Sequence, residues 1–148
     1  MRFSRRQAVS LGAVAPLVLA ESVAAAATTG AARIFHVYAR PDGRSHIERV
    51  PAPTGRNKPL PVQQVVITTI AKGTEDWHRA PFKTFTLNLT GNIRAEMGDG
   101  SSEAIGPGDL VYLEDLSGKG HVTHLLTQVT CLFLHMPEDF DFQAWVKG

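Results

Sequence analysis

Between Lys83 and Thr90 the chain alternates strictly. Phe85, Leu87 and Leu89 are apolar, while Thr84, Thr86, Asn88 and Thr90 carry hydroxyls or an amide. A period of two is the signature of a β-strand with unlike faces. The usual arrangement turns the apolar face to the core and the polar one to water. In a ligand-holding barrel the hydroxyl face can line the cavity instead, and periodicity does not choose between them. Further strands are predicted over Arg33–Ala39, Ser45–Val50, Val62–Ala71, Ile93–Met97, Asp109–Leu113, His121–Gln128 and Thr130–Met136. Glycine-bearing turns separate them at Pro41–Arg44, Thr90–Asn92, Gly98–Gly100 and Gly106–Gly108. The proline-rich stretch Pro51–Pro61 lacks the amide donors a helix or central strand needs, and reads as a loop. Glu138–Gly148 reads as a short helix or a loose tail. Eight or more short strands at close spacing predict an all-β barrel or jelly roll.

Composition changes this picture little. The 148 residues suffice for one domain with one core. Three arginines and one glutamate fall in the first 27 residues, so the net charge of +1 becomes −1 for the rest. No basic cluster points to nucleic acid or to an anionic membrane surface. Cys131 is the one cysteine, which excludes an intrachain disulfide; its apolar surroundings in sequence predict a buried, inert thiol.

The N-terminus reads as an address. Arg2, Arg5 and Arg6 precede the apolar stretch Val9–Ala20, and Val23–Ala27 suits signal-peptidase cleavage. The apolar stretch is too short, and broken by Pro16, to span a membrane. Ser4-Arg5-Arg6-Gln7 resembles a twin-arginine signal, although Ala8-Val9 stands where a bulkier pair is usual. The expected organisation is a signal peptide (1–27), N-terminal strands with the proline-rich loop (28–62), a barrel core (63–136) and a C-terminal tail (137–148). The mature protein is expected to be periplasmic or secreted, with no stable membrane insertion after cleavage.

Two stretches carry a family resemblance. Asp76–Gly91, "DWHRAPFKTFTLNLTG", and Gly98–His121, "GDGSSEAIGPGDLVYLEDLSGKGH", together resemble the two motifs of the cupins, over roughly Gln64–Met136. The resemblance implies a double-stranded β-helix (jelly-roll) barrel, a frequent homodimer, and a metal site. In the first motif His78 and Gly91 are in frame, but Ala80 replaces a second histidine and Thr84 a glutamate. In the second, Gly118 and His121 are in frame, with Leu116 in place of a proline and Leu125 in place of an asparagine. A narrower likeness, to small single-domain cupins, covers "PDGRSH" (Pro41–His46), "DWHRAP" and "GPGDLVYLEDLSGKGH". It brings no settled reaction with it.

A tightly held iron, manganese, zinc or nickel wants three or four protein ligands. His78 and His121 are the expected pair, and His46 is the candidate third. His124, three residues after His121, should point away on a regular strand. His36 and His135 have no motif support. Thr84, Thr86 and Trp77 join His78 and His121 as candidate ligand-binding residues. Glu114 and Asp115 are either a carboxylate pair for acid–base work or part of a solvated loop. Lys119 lies between two glycines, which either admit a ligand to the backbone or shape the turn. Arg79 and Lys83 are candidate receivers of an acidic ligand. Three readings stay open. One is an exported cupin that binds a small polar or acidic molecule with metal weak or absent. The second is a metal-dependent oxygenase, isomerase or lyase. The third is a non-catalytic dimeric structural domain.

Overall fold

The structure is a computed structural model that describes residues 32–53 and 57–148. The predicted signal peptide and residues 54–56 of the proline-rich loop lie outside the described residues. Ten strands and one helix follow in order: β1 (Ile34–Ala39), β2 (Ser45–Val50), β3 (Gln64–Ile70), β4 (Gly73–His78), β5 (Thr84–Thr90), β6 (Ile93–Met97), β7 (Ser102–Ile105), β8 (Leu110–Glu114), β9 (His121–Leu125), β10 (Val129–His135) and α1 (Phe142–Lys147). No helix among the described residues is long and apolar enough to cross a membrane.

The strands form a six-stranded sheet, β2-β1-β8-β5-β10-β3, facing a four-stranded sheet, β4-β9-β6-β7. Neighbours pair antiparallel except β1 with β8. From β3 onward successive strands cross between the sheets, except for the β6–β7 hairpin, and both sheets interleave early and late strands. That strand order is a cupin-type jelly roll, with the β1–β2 hairpin added beyond β8. The fold is therefore the all-β barrel that the strand count predicts. Strands β4 and β7 were not foreseen, because "GTEDWH" shows no alternation of apolar and polar residues and "SEAI" is too short to show a period.

The two-faced strand β5 resolves in the less usual sense. Its hydroxyl face looks inward: Thr86 pairs with Val111 and Phe133, and Asn88 with Cys131, and all five line the space between the sheets. Its apolar face looks outward. Phe85 stands level with Leu134 and Tyr112, and Leu87 with Leu132 and Leu110. Water does not meet most of this outer face, because the C-terminal segment covers it. Phe85, Tyr112, Phe140 and Phe142 are buried together, with Trp145 against them. The Phe142 ring stacks on Tyr112 at 4.6 Å and 8°. Stacked and edge-on aromatic pairs add to their area burial.

Local chemistry fixes this cover. Asp141 caps α1 by accepting from the Ala144 amide at 2.9 Å. Lys83 Nζ donates to the Phe140 carbonyl at 2.8 Å, tying the segment to the start of β5. Glu138–Gly148 is thus a packed strap ending in a helix, not a loose tail. The edge strand β3 lies beyond its reach, leaving Val65 57% and Ile67 66% exposed.

Phe142→Ala is expected to lower the unfolding free energy by about 3–5 kcal/mol, measured by urea denaturation. A loss below about 1 kcal/mol would mean that the C-terminal segment does not cover the sheet in solution.

Candidate functional site at the barrel mouth

The site is built around the loop between β8 and β9. Gly118 and Gly120 adopt φ of 72° and 78°, where side chains are disfavoured. Space is equally restrictive. A Cβ on Gly120 would lie 1.9 Å from the His78 carbonyl oxygen, and one on Gly118 2.1 Å from the Gly43 carbonyl oxygen. The glycines flanking Lys119 therefore let backbone approach backbone. Ser45 locks the loop further, donating to the Gly120 carbonyl at 2.6 Å and accepting from the Gly98 amide at 2.7 Å. The Lys119 amide donates to the Gly43 carbonyl at 3.1 Å. The loop is thus held between the β1–β2 turn, the β6–β7 turn and β4.

The first product of this clamp is a pair of histidines. His78 on β4 stands opposite His121 on β9, with ring centroids 4.4 Å apart. Regular alternation would set His78 and Glu75 on opposite faces, since they are three residues apart. A bulge prevents this: Glu75 pairs with Thr123 and His78 with His121, so three steps on β4 match two on β9. Each ring is oriented through Nδ1. That of His78 donates to the Asp76 carbonyl at 2.7 Å, and that of His121 meets Asp115 Oδ2 at 2.6 Å. In the neutral rings both Nε2 atoms then carry the lone pair.

Asp115 is the residue that sequence reasoning placed wrongly. It has no exposed surface, its Oδ1 has no partner among the described residues, and its Oδ2 is held against His121. A signal was present. Val111 and Leu113 face the barrel interior, and Asp115 continues their parity. Glu114 has the opposite parity and reaches outward to His36 Nε2 at 2.6 Å. The two carboxylates are not a pair.

Two compartments lie beside the histidines, one bordered by each. Outside lies an open cleft with Trp77, His78, Arg79, Ala80, Leu116 and Lys119 on its walls. Lys119 Nζ sits 3.4 Å from the Trp77 ring centroid, a cation–π contact. Inside lies a cavity of about 80 Å³ between the sheets, reached by His121, Thr123, Thr86, Asn88 and Glu75 and otherwise lined by apolar side chains. So His78 borders the cleft and His121 the cavity. Arg79 joins the cleft, whereas Lys83 is engaged with the C-terminal strap.

The other candidates are placed elsewhere. Thr84 is buried and donates to the Leu134 carbonyl at 3.1 Å, bordering neither compartment. His46 does not join His78 and His121; its Nδ1 lies 2.5 Å from Asp99, beside Tyr38. His124 bonds Glu96 at 3.1 Å, and His135 bonds Gln64 at 3.1 Å. His36 is buried against Phe142. Among the described residues no group of three His, Cys, Asp or Glu side chains is placed to hold a metal ion. Cys131 is buried, and burial pushes its thiol pKa up, as an inert thiol requires.

No family model matches the chain, and no curated protein matches it. Some solved structures resemble part of the chain at low identity. Protein NMB1881 from Neisseria meningitidis is 12% identical over 68% of this chain and 80% of its own, with a TM-score of 0.43. The conserved protein SPY1581 from Streptococcus pyogenes is 16% identical over 51% and 68%, at 0.40. Ethanolamine utilization protein Q from Salmonella typhimurium is 14% identical over 72% and 97%, at 0.42. Likeness at this level carries no activity across.

The Asp99 network that takes His46 is testable. Burial works against ionisation of Asp99, but bonds from the Ser101 hydroxyl and amide, and from His46, outweigh it and hold the carboxyl well below the usual range. Asp99→Ala should cost about 1.5–3 kcal/mol at neutral pH. With a folded pKa below the unfolded value of about 3.9, that contribution is present above the unfolded value and lost as pH falls through the folded one. The stability gap between parent and variant in urea unfolding is expected to close progressively below about pH 4. A gap independent of pH would exclude the carboxylate charge as its source.

Proposed function

We propose that this protein is an exported barrel that binds a small acidic molecule at its mouth without a tightly held metal. The observation that carries this reading is the His78–His121 pair, set between a cleft that offers Arg79 and Lys119 and a cavity closed by the sheets. Two cationic side chains at an open rim attract an anion, and Trp77 offers a flat wall beside Lys119. The twin-arginine-like head of the sequence supports export to the periplasm or beyond. The exposed Val65 and Ile67 on the edge strand β3 support a homodimer.

The donor set fits a tightly held iron, manganese, zinc or nickel poorly. It offers two imidazoles, with Ala80 and the internally bonded Thr84 where two more ligands belong in the resembling motif. One observation favours the second reading, a metal-dependent enzyme. A carboxylate behind His121, as Asp115 provides, is the usual support of a metal-bound imidazole.

Metal analysis of protein purified from the exported fraction, without chelators or a His tag, is expected to find far less than one metal per chain. One metal per chain, lost in His78→Ala and in His121→Ala, would put the enzyme reading first. Calorimetric titration with simple monocarboxylates tests the mouth directly. Arg79→Ala and Lys119→Ala are each expected to weaken binding about tenfold at low salt, and less at high salt. Affinities untouched by either change would sink the acid-binding reading.

A further inference from the structure

The cavity differs in chemistry from the cleft outside it. Among the described residues no lysine or arginine lines it, and the charged side chain at its edge is the carboxylate Glu75. Its walls are mostly apolar, with Ile93, Ala95, Ile105 and Val111 among them, and the polar groups that reach it besides Glu75 are Thr86, Asn88, Thr123 and His121. An anion placed there would lose its hydration beside a like charge, with no lysine or arginine to replace the water. An apolar group has no such hydration to replace on entering.

Size narrows the choice. An apolar cavity of about 150 Å³ holds a benzene ring. The cavity here is about 80 Å³, so it has room for about three to five carbon atoms. The bulge in β4 then explains how the two compartments come together. It sets Glu75, which borders the cavity, and His78, which borders the cleft, on one face of the same strand.

We propose that the acid bound at the mouth carries a short, uncharged aliphatic tail. The carboxylate stays in the cleft with Arg79 and Lys119, and the tail passes the His78–His121 pair into the cavity. The ligand class is a short-chain monocarboxylic acid, not a dicarboxylic acid and not a long-chain fatty acid. This rests on the reading of the mouth as an acid-binding site. It adds what lies behind the acid group.

The test is a titration of the mature protein with straight-chain monocarboxylates from acetate to octanoate, and with the matching dicarboxylates. Affinity is expected to rise about fourfold per methylene, to peak at about four to six carbons in all, and to fall beyond. Each dicarboxylate should bind more weakly than the monocarboxylate of its length. Val111→Phe, which fills the cavity, should move the optimum toward acetate. Ala95→Val, a smaller filling, should move it part of the way, and the series on the unaltered protein needs no variant to fold. Affinity independent of chain length, or dicarboxylates binding as well as monocarboxylates, would overturn the tail and leave the acid-binding mouth standing. Failure of every acid to bind, acetate included, would overturn both.

Discussion

A six-stranded sheet with aliphatic or aromatic side chains on its outer face, and a ligand-sized space on its inner face, has to be covered twice. The four-stranded sheet covers the inside, where Phe35, Val37, Ala95, Met97 and Val111 make an apolar cluster. The C-terminal strap covers the outside through Phe140, Phe142 and Trp145. Because the strap buries the large aromatic surface, the interior is released from being the sole hydrophobic core. That release is what allows Thr86, Asn88 and Thr123 to face inward at little cost to folding. A barrel whose only core was its interior would have to fill the same positions with aliphatic side chains.

The mouth depends on a different kind of contact. Its geometry comes from main chain packed against main chain at Gly43, Gly118, Gly120 and the His78 carbonyl, with Ser45 bonded to two amide groups in the gap. Contacts of this sort leave little room for adjustment. They set His121 against Asp115 on one side and against His78 on the other, and so they decide which ring atom each histidine turns to the two compartments.

The sequence showed the fold more readily than the site. Seven of the strands announce themselves by β-branched or alternating residues, and the eighth, β5, by a perfect period of two. The direction of that period was undetermined, because it depends on the strap at residues 138–148, which is far away in the chain and carries no periodic signal of its own. His78 and His121 were found because their spacing from glycines matches a known frame. The frame said nothing of Asp115, which sits among the exposed residues Leu116, Ser117, Gly118 and Lys119 and is buried only because it extends the inward parity of β8. His46 was drawn toward the site by likeness in sequence, but Asp99, across the next turn, offers it a nearer charge. The bulge in β4 was not legible, since an extra residue in a polar strand leaves no mark on composition.

The two tryptophans of the chain stand at opposite poles of this design. Trp145 belongs to the strap, packed edge-on to Phe85 at 5.5 Å, with its ring nitrogen buried and without a partner among the described residues. Trp77 belongs to the mouth, under the ammonium of Lys119. An indole in an aromatic cluster and an indole beneath a cation emit differently and respond to different events. The molecule therefore contains two optical reporters without labelling, one for whether its outer cover is closed and one for whether Lys119 keeps its place over Trp77.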